Sequence, residues 1–376
     1  MKPIQMVDLT TQYQRIKDRI DRSVLEVIRS GEYINGKAVE QFASDLIEYT
    51  GSKYVVPCAN GTDALQIALM ALELQPGDEV IVPAFTYVAA AEAVALLRMI
   101  PVAVDVNPRT FNMDVNRIEE AISPKTKAII PVHLFGQTAD MEPLMNIARR
   151  HNLFVIEDNA QSIGSVYTFS DGTQKQAGTI GDIGILSFFP TKNLGCYGDG
   201  GALMTNNDNL AGIMRMITIH GQALYKFIHP ILGCNSRLDT LQAAILRIKL
   251  SYLDNYIQAR KQLASRYDEG LKLSGDRFET PYCIPESTHV YNQYTLTVKN
   301  EDQNDLQLYL RGKKIPSTVY YPLPLHYQQA FKGLLRVSGD LSVSKKLCNS
   351  VLSLPMHTEV DEEQTQYIID QLIRYE

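Results

Sequence analysis

Residues 153–164 read LFVIEDNAQSIG, and residues 181–203 read GDIGILSFFPTKNLGCYGDGGAL. Each opens on an apolar run and closes on a chemically demanding side chain: the first delivers Glu157 and Asp158, the second leads past Ser187 and Pro190 to Lys192. A carboxylate at a buried strand end is costly unless a cation or several N–H donors meet it. Asp158 therefore either caps the segment that follows or faces a cation, such as a protonated heteroaromatic nitrogen. A lysine held between an apolar strand and a Gly-rich turn is partly desolvated, which favours the neutral amine of Schiff-base chemistry. By itself, such a lysine is more often an ordinary loop residue.

Working outward, short β-branched runs alternate with helical segments from about residue 53. YVVP at 54, EVIVP at 79, IPVAVDV at 100, KAIIPVHLF at 127 and LFVIED at 153 read as strands, with helices from Thr62, from Thr86 and from about Asp140 between them. IGILSFF and GALMT, joined by GCYGDGG, read as two more strands. This order predicts an α/β fold: a mostly parallel sheet with helices on both faces. Two helices precede it, carrying Ile16, Ile20 and Val24, then Val39, Phe42 and Leu46, on either side of the Gly31–Gly36 loop. After about residue 238 a long amphipathic helical stretch leads to the strand NQYTLTV, the helix DLQLYLRG and the Pro-rich VYYPLPLH. We expect a large α/β domain over 1–250 and a small α+β domain over 251–376.

The chain has 376 residues, average apolar content and a net charge of 36 − 42 = −6 with both signs interspersed. No basic tract tracks a phosphate backbone, so nucleic acid is not expected as a partner. The apolar stretch around Ala89–Val106 is broken by Glu92, Arg98 and Asp105, and the N-terminus lacks a signal-peptide core, so neither a membrane span nor export is expected and the cytoplasm is the default. Cys58, Cys196, Cys234, Cys283 and Cys348 lie far apart, and His133 and His151 are isolated, so no metal site is expected.

In open parallel sheets, ligands sit beyond the carboxyl ends of the strands. There, CANGTDAL (58–65) places Gly61 and Thr62 at a helix start, where backbone N–H groups and the helix dipole favour a phosphate, although a plain helix cap fits the same residues. PAFTYVAA (83–90) offers Tyr87 for ring stacking or for core packing. A phosphate cradle, an acid able to hold a pyridinium proton and a downstream lysine together match what pyridoxal 5'-phosphate requires.

The chain resembles the DegT/DnrJ-type sugar aminotransferases over essentially its whole length. The matching segments are GEYINGKAVEQF, ANGTDALQIAL, PAFTYVA, VHLFGQ, IEDNAQSIG, GDIGILSFFPTKNLGCYGDGGAL, GCNSRLDTLQAAIL and VYYPLPLH. The resemblance implies the aspartate-aminotransferase fold (type I pyridoxal-phosphate enzymes) and a homodimer with shared active sites. It places Lys192 at the position that bonds to the cofactor and Asp158 at the pyridine nitrogen. Gln161 falls near the cofactor's phenolic oxygen, Tyr87 at the stacking position, and Gly61, Thr62 and Ser187 at the phosphate. Asn235 matches a residue supplied by the neighbouring subunit, and Arg237, Tyr320, Tyr321 and His326 fall in segments that contact the nucleotide sugar. Asn159 stands where many members have Ala, and Tyr320 where several have His.

A branch of the family with His at the lysine position removes a hydroxyl; Lys192 favours transamination. The implied reaction moves an amino group from L-glutamate to a nucleotide-linked keto sugar for surface polysaccharide, lipopolysaccharide or amino-sugar biosynthesis. The texture is most similar to members that aminate C3 of a UDP-linked 2-acetamido-3-oxo-glucuronate. Other UDP-, dTDP- or GDP-keto sugars aminated at C3 or C4 are alternatives, as is a non-catalytic regulatory homologue.

Overall fold

The computed structural model describes every residue except 1, 224, 226, 300 and 376. Five apolar runs form parallel strands because each buries both faces: β2 (Glu79–Pro83), β3 (Ile100–Val104), β4 (Thr126–Ile129), β5 (Phe154–Asp158) and β8 (Ile183–Ser187). With β1 (Tyr54–Cys58), β9 (Gly201–Thr205) and β12 (Arg336–Val337) they make an eight-stranded sheet in the order β1-β9-β8-β5-β4-β2-β3-β12. Only β9 runs against its neighbours β1 and β8. The expected mostly parallel sheet is therefore present. A hairpin, β6 (Val166–Thr168) with β7 (Gln174–Gln176), stands apart, and β10 (Phe278–Glu279), β11 (Tyr294–Val298) and β13 (Val351–Leu354) form a second, antiparallel sheet.

Helix Leu9–Ser30 begins where the Asp8 side chain accepts the N–H of Thr11, and it stops at Gly31, whose φ of 72° lies in the left-handed region that glycine adopts freely. It turns Ile16 and Ile20 onto Ile245 and Ile248 of helix Thr240–Leu250. The stretch after 238 is not one helix. It breaks between Thr240–Leu250 and Leu253–Leu271, and the second helix packs Leu263, Tyr267 and Leu271 into a separate core with β11, β13 and helix Glu362–Arg374. Helix Ala89–Leu96 starts three residues later than its sequence suggests, because Thr86 and Tyr87 remain outside it. Among the described residues no helix is long and apolar enough to cross a membrane.

One buried group governs the centre of the sheet. Glu157, wholly buried in β5, accepts the N–H groups of Ile180 and Gly181 at 2.6 Å on Oε1, and those of Gly178 and His133 Nε2 at 2.9 Å on Oε2. The His133 ring accepts the Ala139 N–H on Nδ1 at 3.0 Å, which places its proton on Nε2 and makes it a donor to Glu157. Gly184 lacks the Cβ that would lie 2.0 Å from the Gly178 carbonyl oxygen, so the 178–181 turn crosses β8 in contact. Side chains alternate along a strand, so the Glu157 network fixes one face of β5 and leaves Asp158 on the other.

Replacing Glu157 by Ala strands three backbone N–H groups and His133 Nε2 without acceptors. Urea unfolding of the cofactor-free protein is expected to show a loss of about 3–5 kcal/mol, and a loss below about 1 kcal/mol would mean the donors find other partners.

Candidate active site

The strand ends converge where the sheet topology directs them. Cys58 at the end of β1 and Ser187 at the end of β8 are both in register with Gly201, the first residue of the intervening β9. A Cβ on Gly201 would lie 2.4 Å from the Asn60 carbonyl carbon, and one on Gly61 would lie 2.8 Å from Ser187 Cβ. Two glycines thus let the 60–62 turn settle on the end of the sheet. The Asn60 side chain caps helix Gly61–Ala71 by accepting the Asp63 N–H, while the Gly61 and Thr62 N–H groups lie in the first turn, which has no intrahelical acceptor. Ser187 Oγ accepts from Phe189 N–H at 3.4 Å, leaving its own proton to donate.

Asp158 is 7% exposed, and its Oδ1 accepts the Ala160 N–H at 3.1 Å; no helix follows it to be capped. Burial raises its pKa, opposed by that N–H and by the charge of Lys192. Lys192 is half-buried in a turn closed by its N–H on the Phe189 carbonyl at 2.9 Å. Burial pulls its ammonium down to about 8, against the attraction of Asp158. Each group therefore sits nearer its neutral form than it would in water.

Gln161 accepts the Phe135 N–H at 2.8 Å through Oε1, and its Nε2 lies 3.3 Å from Tyr321 Oη. The Tyr321 ring centroid is 6.2 Å from Tyr87 and 5.8 Å from Tyr320. Tyr87 is 58% exposed, so it is not a core residue. Asn235 is exposed and Arg237 half-buried on either side of Ser236, which is buried and accepts the Ala59 N–H at 3.1 Å. In this extended stretch the side chains at 235 and 237 point away from the one at 236. Neither Asn235 nor Arg237 has a side-chain hydrogen bond or ion pair among the described residues.

His326 makes none of these contacts among the described residues. Its ring, 4.3 Å from that of Tyr327, has no partner on either nitrogen; burial and Lys345 lower its pKa while Asp105 raises it. The sequence reading missed the Phe135 N–H and the Ser236 hydroxyl. The first is a backbone group, and the second is an unremarkable serine until β1 is placed beside it. Among the described residues no cluster of His, Cys, Asp and Glu could hold a metal ion.

The profile of the DegT/DnrJ/EryC1/StrS aminotransferase family matches residues 14–373. The chain is 46% identical to the UDP-2-acetamido-2-deoxy-3-oxo-D-glucuronate aminotransferase of Pseudomonas aeruginosa, covering 97% of this chain and 98% of that one. It is 44% identical to the pleiotropic regulatory protein of Geobacillus stearothermophilus, over 99% of this chain and 98% of that one. Among solved structures, NtdA of Bacillus subtilis with bound cofactor PMP superimposes with a TM-score of 0.86 at 35% identity, covering 95% of this chain and 82% of that one.

The donors fit the cofactor that this family uses, pyridoxal 5'-phosphate (PLP). The two N–H groups without an intrahelical acceptor and the Ser187 hydroxyl suit a phosphate, Asp158 makes no ion pair among the described residues, and Lys192 is poised to lose its proton. Cofactor uptake by the apoprotein needs the neutral amine, so its rate should rise with pH to half-maximum near about 8, well below the ordinary lysine value of 10.5. Asp158→Asn removes the anion that holds the ammonium, and should move the midpoint lower still. Stopped-flow absorbance reads both, and a midpoint at 10.5 would overturn the assignment. The same shift makes Lys192 a source of instability below pH 8 that fades towards pH 10.5, because in that window the unfolded chain holds a proton that the folded one has released.

Proposed function

The chain belongs to the DegT/DnrJ/EryC1/StrS aminotransferase family, and we propose that it carries an amino group from L-glutamate to C3 of a UDP-linked 2-acetamido-3-oxo sugar of the glucuronate type. Arg237 carries the substrate reading. It is a half-buried cation with no acidic partner among the described residues, next to Ser236, which is fixed to the end of β1. A planar guanidinium in that position suits the sugar carboxylate or the pyrophosphate. The similarity to the Pseudomonas enzyme supports the carboxylate. We place the reaction in the cytoplasm and its product in surface polysaccharide or amino-sugar biosynthesis. The cofactor-binding parts lie within residues 1–250, with 251–376 as a second domain that lends Tyr320, Tyr321 and His326 to the substrate.

Gly61, Thr62 and Ser187 would hold the phosphate of PLP, Tyr87 its ring face, Gln161 its phenolic oxygen and Asp158 its pyridine nitrogen. When bound, PLP draws into its ring the electron pair released at the donor's α-carbon. Asp158 keeps a proton on the pyridine nitrogen by pairing its charge with it. The Lys192 amine takes the α-proton in the first half of the reaction, which releases 2-oxoglutarate, and returns a proton to the sugar carbon in the second. Asp158 and Lys192 lie at adjacent strand ends, so one rigid scaffold serves both halves.

A panel of nucleotide keto sugars, generated in place and assayed for glutamate-dependent amination, tests the reading. The UDP-linked 3-oxo-glucuronate should be the preferred acceptor, and Arg237→Met should raise its KM by about tenfold or more, the loss of one charge-assisted contact of about 1.5–3 kcal/mol. Preference for a neutral 4-keto sugar would overturn it.

A regulatory role without turnover is the second reading, favoured by the name of the Geobacillus relative. Glutamate bleaching the visible band of the holoenzyme supports transfer. A colourless Lys192→Ala variant with full function in cells supports regulation.

We further propose a homodimer in which Asn235 completes the partner's site, since its side chain is exposed and engaged by nothing among the described residues of its own chain. Mixing inactive Lys192→Ala and Asn235→Ala chains should restore part of the activity in heterodimers, measured as 2-oxoglutarate release. Unchanged cofactor affinity in Asn235→Ala would overturn the sharing.

A further inference from the structure

The orientation of one carboxamide decides which way a phenol proton points. Gln161 takes the Phe135 N–H on Oε1 at 2.8 Å. An amide nitrogen has no lone pair to accept that proton, so the amide can sit only this way round. Its Nε2, 3.3 Å from Tyr321 Oη, is then necessarily the donor of that pair. Tyr321 accepts from Gln161, and its own proton has no acceptor among the described residues.

The phenol also keeps that proton. Burial pushes its pKa well above the ordinary value, and the nearby charge of Asp158 raises it further, against the opposing bond from Gln161. The ring is held between Phe85, at 6.0 Å, and Tyr87, at 6.2 Å. Its segment is tied to the end of β2 by the Leu325 N–H on the Ala84 carbonyl at 2.9 Å. A protonated, immobile donor therefore faces the space beside Asp158 and Tyr87.

We propose that Tyr321 is a catalytic residue of the sugar half of the reaction, donating its proton to the oxygen of the acceptor's carbonyl group. This rests on the keto-sugar reading above. Converting C=O to an amine expels that oxygen as water. The C–N bond forms as the carbonyl electron pair moves onto oxygen, and then the C–O bond breaks; both hydrogens of the departing water derive from the incoming –NH2 group. Tyr321 supplies a proton to the oxygen and recovers one shed by the nitrogen, so the phenol is regenerated and no further reagent is consumed. The amino-donor half ends in the reverse exchange, as water replaces nitrogen on the keto-acid carbon, so the same phenol serves there by the opposite proton transfer; removal of the glutamate α-hydrogen by Lys192 precedes that exchange and does not need the phenol.

The test separates the halves in single turnovers of the holoenzyme, following loss of the visible band with glutamate and its return with the keto sugar. Tyr321→Phe keeps the ring and its packing. It should leave the pH midpoint of the band and the exchange of the glutamate α-hydrogen with solvent unchanged, and slow the return of the band with the keto sugar by about 10²–10⁴-fold, the usual yield of general acid catalysis. Slowed exchange of the glutamate α-hydrogen would assign Tyr321 a structural role, a moved band midpoint would assign its proton to the cofactor, and an unaffected sugar half would show that the proton is not used; each overturns the proposal. A wild-type enzyme that aminates no keto sugar would instead overturn the proposed function on which it rests.

Discussion

A carboxylate and an amine, both withdrawn from water at neighbouring strand ends, set the terms for the rest of this fold. Burial drives Asp158 towards its protonated form and Lys192 towards its neutral one, while their mutual attraction opposes both shifts. A buried pair of this kind contributes little net stability, since desolvation offsets most of the attraction. The surrounding structure has to hold it in place by other means. Glu157 supplies one of these, using both carboxylate oxygens to tie His133 and the 178–181 turn to β5. The desolvation of Asp158 is opposed by the Ala160 N–H and by Lys192, while the Glu157 network on the opposite face holds the strand that carries it.

The wall opposite the cofactor strands comes from far along the chain, yet it is fastened to the large sheet. β12 adds to the edge of β3, and Arg336 meets the Glu79 carboxylate at 2.9 Å. Asp105, just beyond β3, accepts the N–H groups of Val343 and Ser344 at the start of helix Ser342–Cys348. With Leu325 on Ala84, these bonds anchor the 319–344 segment at several points. Tyr320 and Tyr321 therefore take their positions from the sheet that carries Lys192, although they follow β11 of the second sheet in sequence. An aromatic side chain fixed in this way loses little further entropy when substrate arrives, which favours a pre-formed site.

Most of the large sheet was legible because buried parallel strands are written as β-branched runs, and the runs quoted from 54 to 205 became strands within a residue or two, except KAIIPVHLF, whose strand ends at Ile129 and whose last residues enter a turn at Leu134–Gly136. The break at 251–252 was not legible, because the amphipathic pattern runs across it without Gly or Pro. β12 is only Arg336–Val337, too short for any periodicity to register. Within the site, the residues that stand at strand ends could be read, since a polar residue after an apolar run is conspicuous. The Gln161–Phe135 bond could not, because backbone donors leave no trace in the side-chain pattern. With it went the direction of the Tyr321 proton, a property of three residues spread over 186 positions (Phe135 to Tyr321: 321 − 135).

Net charge says little about a site of this kind, because local donors set its field. Exposure says more. Tyr87 at 58% and Phe189 at 50% lie beside Tyr321 and Lys192, and Tyr33 and Ile34 on the Gly31–Gly36 loop are about as exposed, at 49% and 48%. Ile34 bridges to Asp239, four residues on from Asn235. In the proposed homodimer, a second copy of the chain would cover exposed apolar side chains of this kind. It would bring its Asn235 to this cofactor, whereas the low proton affinity of Lys192 arises from burial within its own chain.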